Sequence, residues 1–105
     1  MDELHGFRDV LKKELKIPAL SKEAELLLKE AVKDAAGQIL VVELLDGTEI
    51  QTNNTMMNKE RFGKDVAKWM SAIDELKSNK LLVSVGSKNE IYQLTKYGYD
   101  VSENL

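Results

Sequence analysis

The sequence predicts an α+β domain, and three observations carry that expectation. Between Lys59 and Leu94 the apolar spacing changes from helical to alternating, so a helix feeds directly into a β-hairpin. Upstream, the apolar run Ile39-Leu40-Val41-Val42 is followed by Asp46-Gly47, a two-residue hairpin signal. Ser21 and Thr95 stand as N-caps ahead of two further helical stretches.

At the N-terminus, Asp2 to Lys16 carries Leu4, Phe7, Leu11 and Leu15 in helical register with Val10 beside them. This predicts a short amphipathic helix ended by Pro18, because the residue before a proline is pushed out of the helical region. So short a helix is marginal alone and needs a surface on which to bury those residues. Residues 1–18 are therefore read as an N-terminal helix or linker, and residues 19–105 as the domain proper.

Ser21 caps a helix expected over Lys22 to Ala36, with Ala24, Leu27, Leu28, Ala31 and Ala35 as the buried stripe and Gly37 as the left-handed C-terminal cap. Ile39 to Val42 has no polar alternation, the pattern of a strand covered on both faces. Thr48 to Thr52 returns as its partner, and Asn53 to Asn58 is expected as a polar loop holding Met56 and Met57. In the long helix, Phe62, Val66, Trp69, Ile73 and Leu76 form the apolar face, and Arg61, Lys64, Lys68 and Ser71 the polar one. Val83-Ser84-Val85 and Tyr92-Gln93-Leu94 flank a polar turn, and a closing helix follows Thr95, with Tyr99 and Val101.

Composition narrows the function. The 105-residue chain has 43% hydrophobic residues, enough for one core without staples. It has no cysteine, which excludes disulfides, thiolate metal sites and cysteine catalysis and makes the cytoplasm the expected compartment. No apolar run suits a bilayer, so no membrane partner is expected. His5 is the one histidine, and there is no glycine-rich phosphate loop; no catalytic residue, metal ligand or cofactor is assigned. The net charge is −3, yet Lys59 to Lys80 holds six basic and four acidic residues, whereas Gln38 to Asn58 has Glu43, Asp46 and Glu49 and no basic residue. The long helix is thus the locally positive element.

The run Tyr92-Gln93-Leu94-Thr95-Lys96-Tyr97-Gly98, after helix and hairpin, resembles the "Y-x-L-T-x-x-G" end of bacterial winged-helix domains. The fuller order, LSKEAELLLKEA, then GQILVVELLDGTEIQTN, then AKWMSAIDELKSNKLL, is similar to a winged-helix-like module at the C-terminal end of larger bacterial proteins. The resemblance implies a winged-helix-like single domain with an extra N-terminal amphipathic helix. Asn79-Lys80 and Asn89 stand where such modules often have glycine, and asparagine tolerates the left-handed conformation those turns need. The Asp46-Gly47 hairpin and an Asn-rich loop stand where a helix-turn-helix has its first helix.

Two functions follow from the resemblance and the charge pattern. The first is duplex DNA binding through Arg61, Lys64, Lys68 and Ser71, with Lys88 at the wing tip reaching a neighbouring phosphate, in a homodimer joined through the N-terminal helix. On the plainer reading those residues are a solvated helix surface with Glu60-Lys64 and Arg61-Asp65 paired at i,i+4. The second function is a protein-interaction or adaptor module that has lost DNA binding. Leu4, Phe7, Leu11, Met56 and Met57 are the candidate partner contacts, although one of the two methionines is more readily read as core filler tucked under the hairpin.

Overall fold

The computed structural model describes residues 17–86 and 90–105. Leu4, Phe7, Leu11, the N-terminal helix expectation, Lys88 and Asn89 lie outside these. Three helices, α1 (Lys22–Lys33), α2 (Lys64–Ser78) and α3 (Lys96–Glu103), pack against a five-stranded antiparallel sheet. Its strands are β1 (Gln38–Leu44), β2 (Gly47–Thr52), β3 (Thr55–Met56), β4 (Leu82–Val85) and β5 (Ile91–Leu94), in the order β3-β2-β1-β5-β4. The two expected hairpins are therefore joined through β1 and β5 into one sheet, with Ile39 opposite Tyr92 and Val41 opposite Ile50.

Alternation along the strands decides which face is the core. Ile39, Val41, Ile50, Tyr92, Leu94 and Leu82 point to the helices and are buried with Leu27, Leu28, Ile73, Leu76 and Val101. Each such aliphatic side chain contributes about 2 kcal/mol on removal from water, which ties α1, α2 and the sheet into a single core. Ser21 caps α1, its hydroxyl accepting from the Ala24 N–H at 3.2 Å, and the Ser21 N–H donates to Glu75 Oε2 on α2 at 2.7 Å. Thr95 Oγ1 caps α3 by accepting from Gly98 N at 2.9 Å and donates back to Lys80 O at 2.8 Å.

Several sequence expectations are corrected. The stripe Ala24, Leu27, Leu28 and Ala31 is buried, but α1 ends at Lys33 and Ala35 is exposed. Gly37 does adopt φ +65°, yet it closes a turn in which its N–H donates to Asp34 O, rather than capping the helix. The first hairpin loop is Leu45-Asp46, one position earlier than expected, with Gly47 paired to Leu44. Asn53 and Asn54, at φ +52° and +58°, form a tight left-handed turn into β3, so the expected loop is a third hairpin strand. The long helix begins at Lys64, after Gly63 at φ +73°; Phe62 falls in the lead-in loop, largely exposed, instead of joining the apolar stripe of Trp69 and Ile73.

At the end of α2 the left-handed residue is Lys80 (φ +65°), not Asn79 (φ −88°). Lys80 N donates to Lys77 O and Leu81 N to Leu76 O, the paired bonds of a Schellman cap, and Asn79 Nδ2 donates to Glu75 O. A lysine bears a steric cost in that conformation that glycine avoids. Lys80→Gly is expected to stabilise the domain by roughly 0.5 to 1 kcal/mol, read as a higher urea midpoint at constant slope.

Candidate binding surfaces

Of the residues proposed for DNA, Lys64, Lys68 and Ser71 lie on one exposed stripe of α2. Their electrostatics are modest. Lys68 Nζ is 3.3 Å from Asp65 Oδ1 and 5.4 Å from the Trp69 ring centroid, and Asp74 is exposed on the same helix. Asp65 is held in place by the Glu60 and Lys59 N–H groups, the first at 2.8 Å, and these hydrogen bonds, with Lys68 beside them, keep its carboxyl below the usual value.

Arg61 is not on the helix. Its guanidinium turns to the first hairpin, with Nη1 3.0 Å from Asp46 Oδ2 and Nη2 2.9 Å from Glu49 Oε2, while its carbonyl accepts from Thr48 N at 2.7 Å. Both carboxylates come from the acidic stretch of the sequence. The largest cation of the expected recognition face thus neutralises the hairpin beside it.

The lead-in loop that carries Arg61 is pinned by Asn58, which is buried and fully satisfied. Its Oδ1 accepts from Ile50 N at 2.9 Å, and its Nδ2 donates to Thr48 O and Glu60 O, both at 2.8 Å. Asp34 plays the corresponding part beyond α1. Its carboxylate accepts from Gln38 N at 3.0 Å and from Ala36 N and Asn53 N at 3.1 Å, joining α1 to β1 and to the β2-β3 turn.

The hydrogen bond from Gln38, followed by those from Ala36, Asn53 and Gly37, holds the Asp34 carboxyl below its ordinary value against partial desolvation. A carboxyl depressed on folding stabilises the native state above its unfolded pKa of about 3.9, and that contribution is lost as pH falls through the lower folded value. Thermal stability is therefore expected to hold from neutral pH to about 5 and to fall below about 4, with a shallower fall in Asp34→Asn, as measured by melting temperature against pH.

The second surface is the face of the sheet turned away from the helices. Pairing aligns Met56, Gln51, Leu40, Ile91 and Val85 in one row across all five strands, with Val42 and Val83 flanking it. Val83 is 46% exposed, Leu44 42%, Met56 40% and Ile91 38%, and no element among the described residues lies over them. Among the described residues, the apolar run Ile39 to Val42 is covered on one face: Ile39 and Val41 are buried, while Leu40 and Val42 are partly exposed. The two methionines divide between the readings made for them, with Met57 packed against the core and Met56 on the open face.

A shallow hollow of about 240 Å³ opens between β1 and β5, lined by Leu40, Val42 and Ile91 and by Val41, Glu43 and Glu90, which alternate with them along the strands. Among the described residues, no group of three or more His, Cys, Asp or Glu side chains is placed to share a metal ion, and no helix is long and apolar enough to cross a membrane. Comparison with protein-family models, with curated proteins and with solved structures finds no match for the chain.

Proposed function

We propose that this chain is a non-enzymatic protein-interaction module, winged-helix-like in the order of its elements, that binds through the open face of its five-stranded sheet. The observation that supports this reading is the apolar row Met56, Leu40, Ile91 and Val85, with Val42 and Val83 beside it. Scattered exposed apolar residues are ordinary, but Leu40, Ile91 and Val85, adjacent on three neighbouring strands and separated from Met56 by Gln51, form a patch of the kind that marks a contact surface. Glu49 lies on the same face, paired to Arg61, whereas Glu43 and Glu90 alternate with Val42 and Ile91 and belong to the helix side of the sheet.

DNA binding is the second reading, favoured by the shared stripe of Lys64, Lys68 and Ser71 on α2. The charge pattern favours the first. Affinity for duplex DNA grows with the number of phosphates neutralised, and Arg61 and Lys68 each already face a carboxylate within 4 Å.

The test is fluorescence anisotropy of random duplex DNA at about 50 mM and about 200 mM salt, with the double reversal Lys64→Glu/Lys68→Glu alongside. Absent or very weak binding, unchanged by the reversal, is expected. Micromolar binding that collapses at the higher salt and is abolished by the reversal would overturn the protein-interaction reading.

A further inference from the structure

Strand alternation keeps charge off the open face of the sheet. Glu43 and Glu90 belong to the helix side, and among the described strand residues only Glu49 brings an ionisable group to the open side. Glu49 Oε2 is 2.9 Å from Arg61 Nη2 and so is already matched. The rest of the face is apolar or carboxamide, with Gln38, Gln51 and Gln93 beside the apolar patch.

Such a face complements itself. In a two-fold contact each residue meets its own counterpart or a neighbour of it, so an excess of either charge would be doubled across the interface and repel. Apolar side chains carry no such penalty, and a carboxamide holds both donors and an acceptor, so it can pair with its own copy. Gln51 Nε2 donates to Glu49 Oε1 at 2.6 Å, which leaves the amide oxygen and the second N–H for a partner. The hollow walled by Leu40, Val42 and Ile91 gives a facing side chain a seat.

Geometry then selects the axis. Sheets stacked face to face keep their strands within about 30° of one another and lie about 10 Å apart. A two-fold axis along the row from Met56 to Val85 turns each strand over its own copy, bringing Gln51 to Gln51 and Ile91 to Ile91. An axis along β1 would instead set Gln51 over Ile91 and bury an amide without a partner.

We infer that two copies of this chain form a symmetric, reversible dimer by stacking their open sheet faces about that row. This rests on the reading of the face as the contact surface, and names its occupant. Five strands of about four residues give a footprint of about 300 Å² per copy, against about 800 Å² per partner in a standard complex. The dimer is therefore expected to dissociate in the micromolar range or above.

The chain has no cysteine, so a single introduced one reports its own contact. In the full chain, Leu40→Cys and Ile91→Cys lie on the axis, where a thiol-to-thiol cross-linker spanning about 8 Å can bridge the two sheets. Leu45→Cys at the hairpin tip is the control, because the axis carries its two copies to opposite ends of the dimer. Sedimentation of the unmodified chain from about 10 µM to about 1 mM accompanies it, with the fluorescence of anilinonaphthalene sulfonate, a dye that reports exposed apolar surface.

Expected are an average mass that rises from 11.8 kDa towards twice that value, and cross-linking at Leu40→Cys and Ile91→Cys faster than at Leu45→Cys by about tenfold or more. Ile91→Glu, and Val83→Glu at a more exposed position, should each raise the dissociation constant about tenfold or more with the circular dichroism unchanged. A monomer at every concentration, or a dimer untouched by both glutamates, would overturn the self-pairing. The dye then separates the two readings. Fluorescence that Ile91→Glu removes leaves the face standing as a contact surface for another protein, and no fluorescence from the face overturns that reading as well.

Discussion

Replacing Asn58 by alanine is expected to destabilise the domain by about 3 kcal/mol, because the substitution leaves the buried Ile50 N–H without an acceptor and withdraws a donor from two carbonyls. For a domain of this size that corresponds to a fall in melting temperature of about 10 °C or more. The cost is large because the three partners belong to two elements: Thr48 and Ile50 are on β2, while Glu60 is in the lead-in loop. Asn58→Asp is the informative companion. It keeps an acceptor for Ile50 but turns a second oxygen towards the Thr48 and Glu60 carbonyls, so it should not rescue stability at neutral pH. A loss of less than about 1 kcal/mol for Asn58→Ala would mean that the loop is held by its other contacts, such as the Asp65 carboxylate on the Lys59 and Glu60 N–H groups.

The second large effect is at Gly98, where two principles oppose each other. Alanine is favoured over glycine inside a helix by about 0.8 to 1 kcal/mol, and Gly98 lies within α3. A Cβ there, however, would come 2.5 Å from the Leu81 carbonyl oxygen and 3.3 Å from Leu94 Cδ2. Leu81 cannot yield easily, since its N–H is committed to Leu76 O in the α2 cap and its carbonyl accepts from Thr95 N at 3.0 Å. Overpacking against such backbone costs about 1 to 3 kcal/mol and outweighs the helix preference. Gly98→Ala is therefore expected to lower stability by about 2 kcal/mol in urea titration, with Lys96→Ala, exposed on the same helix, near neutral. A stabilising Gly98→Ala would show that α3 is not seated on Leu81.

Both positions bear on how much of the molecule is legible in its residues. Gly98 is visible in the sequence, through the run from Tyr92 to Gly98 and its resemblance, although the reason for glycine is a close approach to Leu81 that no spacing reveals. Asn58 is not. It reads as one more polar residue in an Asn-rich loop, and only the fold brings Ile50, Thr48 and Glu60 around it.

The same division runs through the elements. Caps at Ser21 and Thr95, the α1 stripe from Ala24 to Ala31 and the stripe from Trp69 to Leu76 are local and period-driven and stand where the residues place them, while the first hairpin turn is shifted by one residue. Phe62 has the helical spacing but lies beyond Gly63, whose positive φ breaks the helix before the stripe reaches it. Lys80 takes the left-handed position beside an asparagine better suited to it, because the position is set by the length of α2 rather than by residue preference.

The candidate site divides likewise. Lys64, Lys68 and Ser71 share a stripe as their spacing requires, whereas Arg61 is drawn away by Asp46 and Glu49, carboxylates distant in sequence and adjacent across the hairpin. The apolar row on the open face was hidden for a different reason. A continuous apolar run states that both sides of a strand are apolar, and a strand with one covered side and one contact side reads the same as a strand buried twice. Register alone separates them, by placing Leu40 beside Ile91 and away from Ile39.

Side-chain footprinting of the full chain in solution tests the contact surface most directly. Leu45, fully exposed at the hairpin tip, is an internal reference for unhindered labelling, and Val83, Leu40, Val42 and Ile91 are the probes. The expected result is labelling of the four probes several-fold below their exposure relative to Leu45, rising at Leu40, Val42 and Val83 when Ile91→Glu is introduced on the face. Labelling in proportion to exposure at all four, unchanged by that substitution, would contradict a covered sheet face and with it the binding role assigned to it.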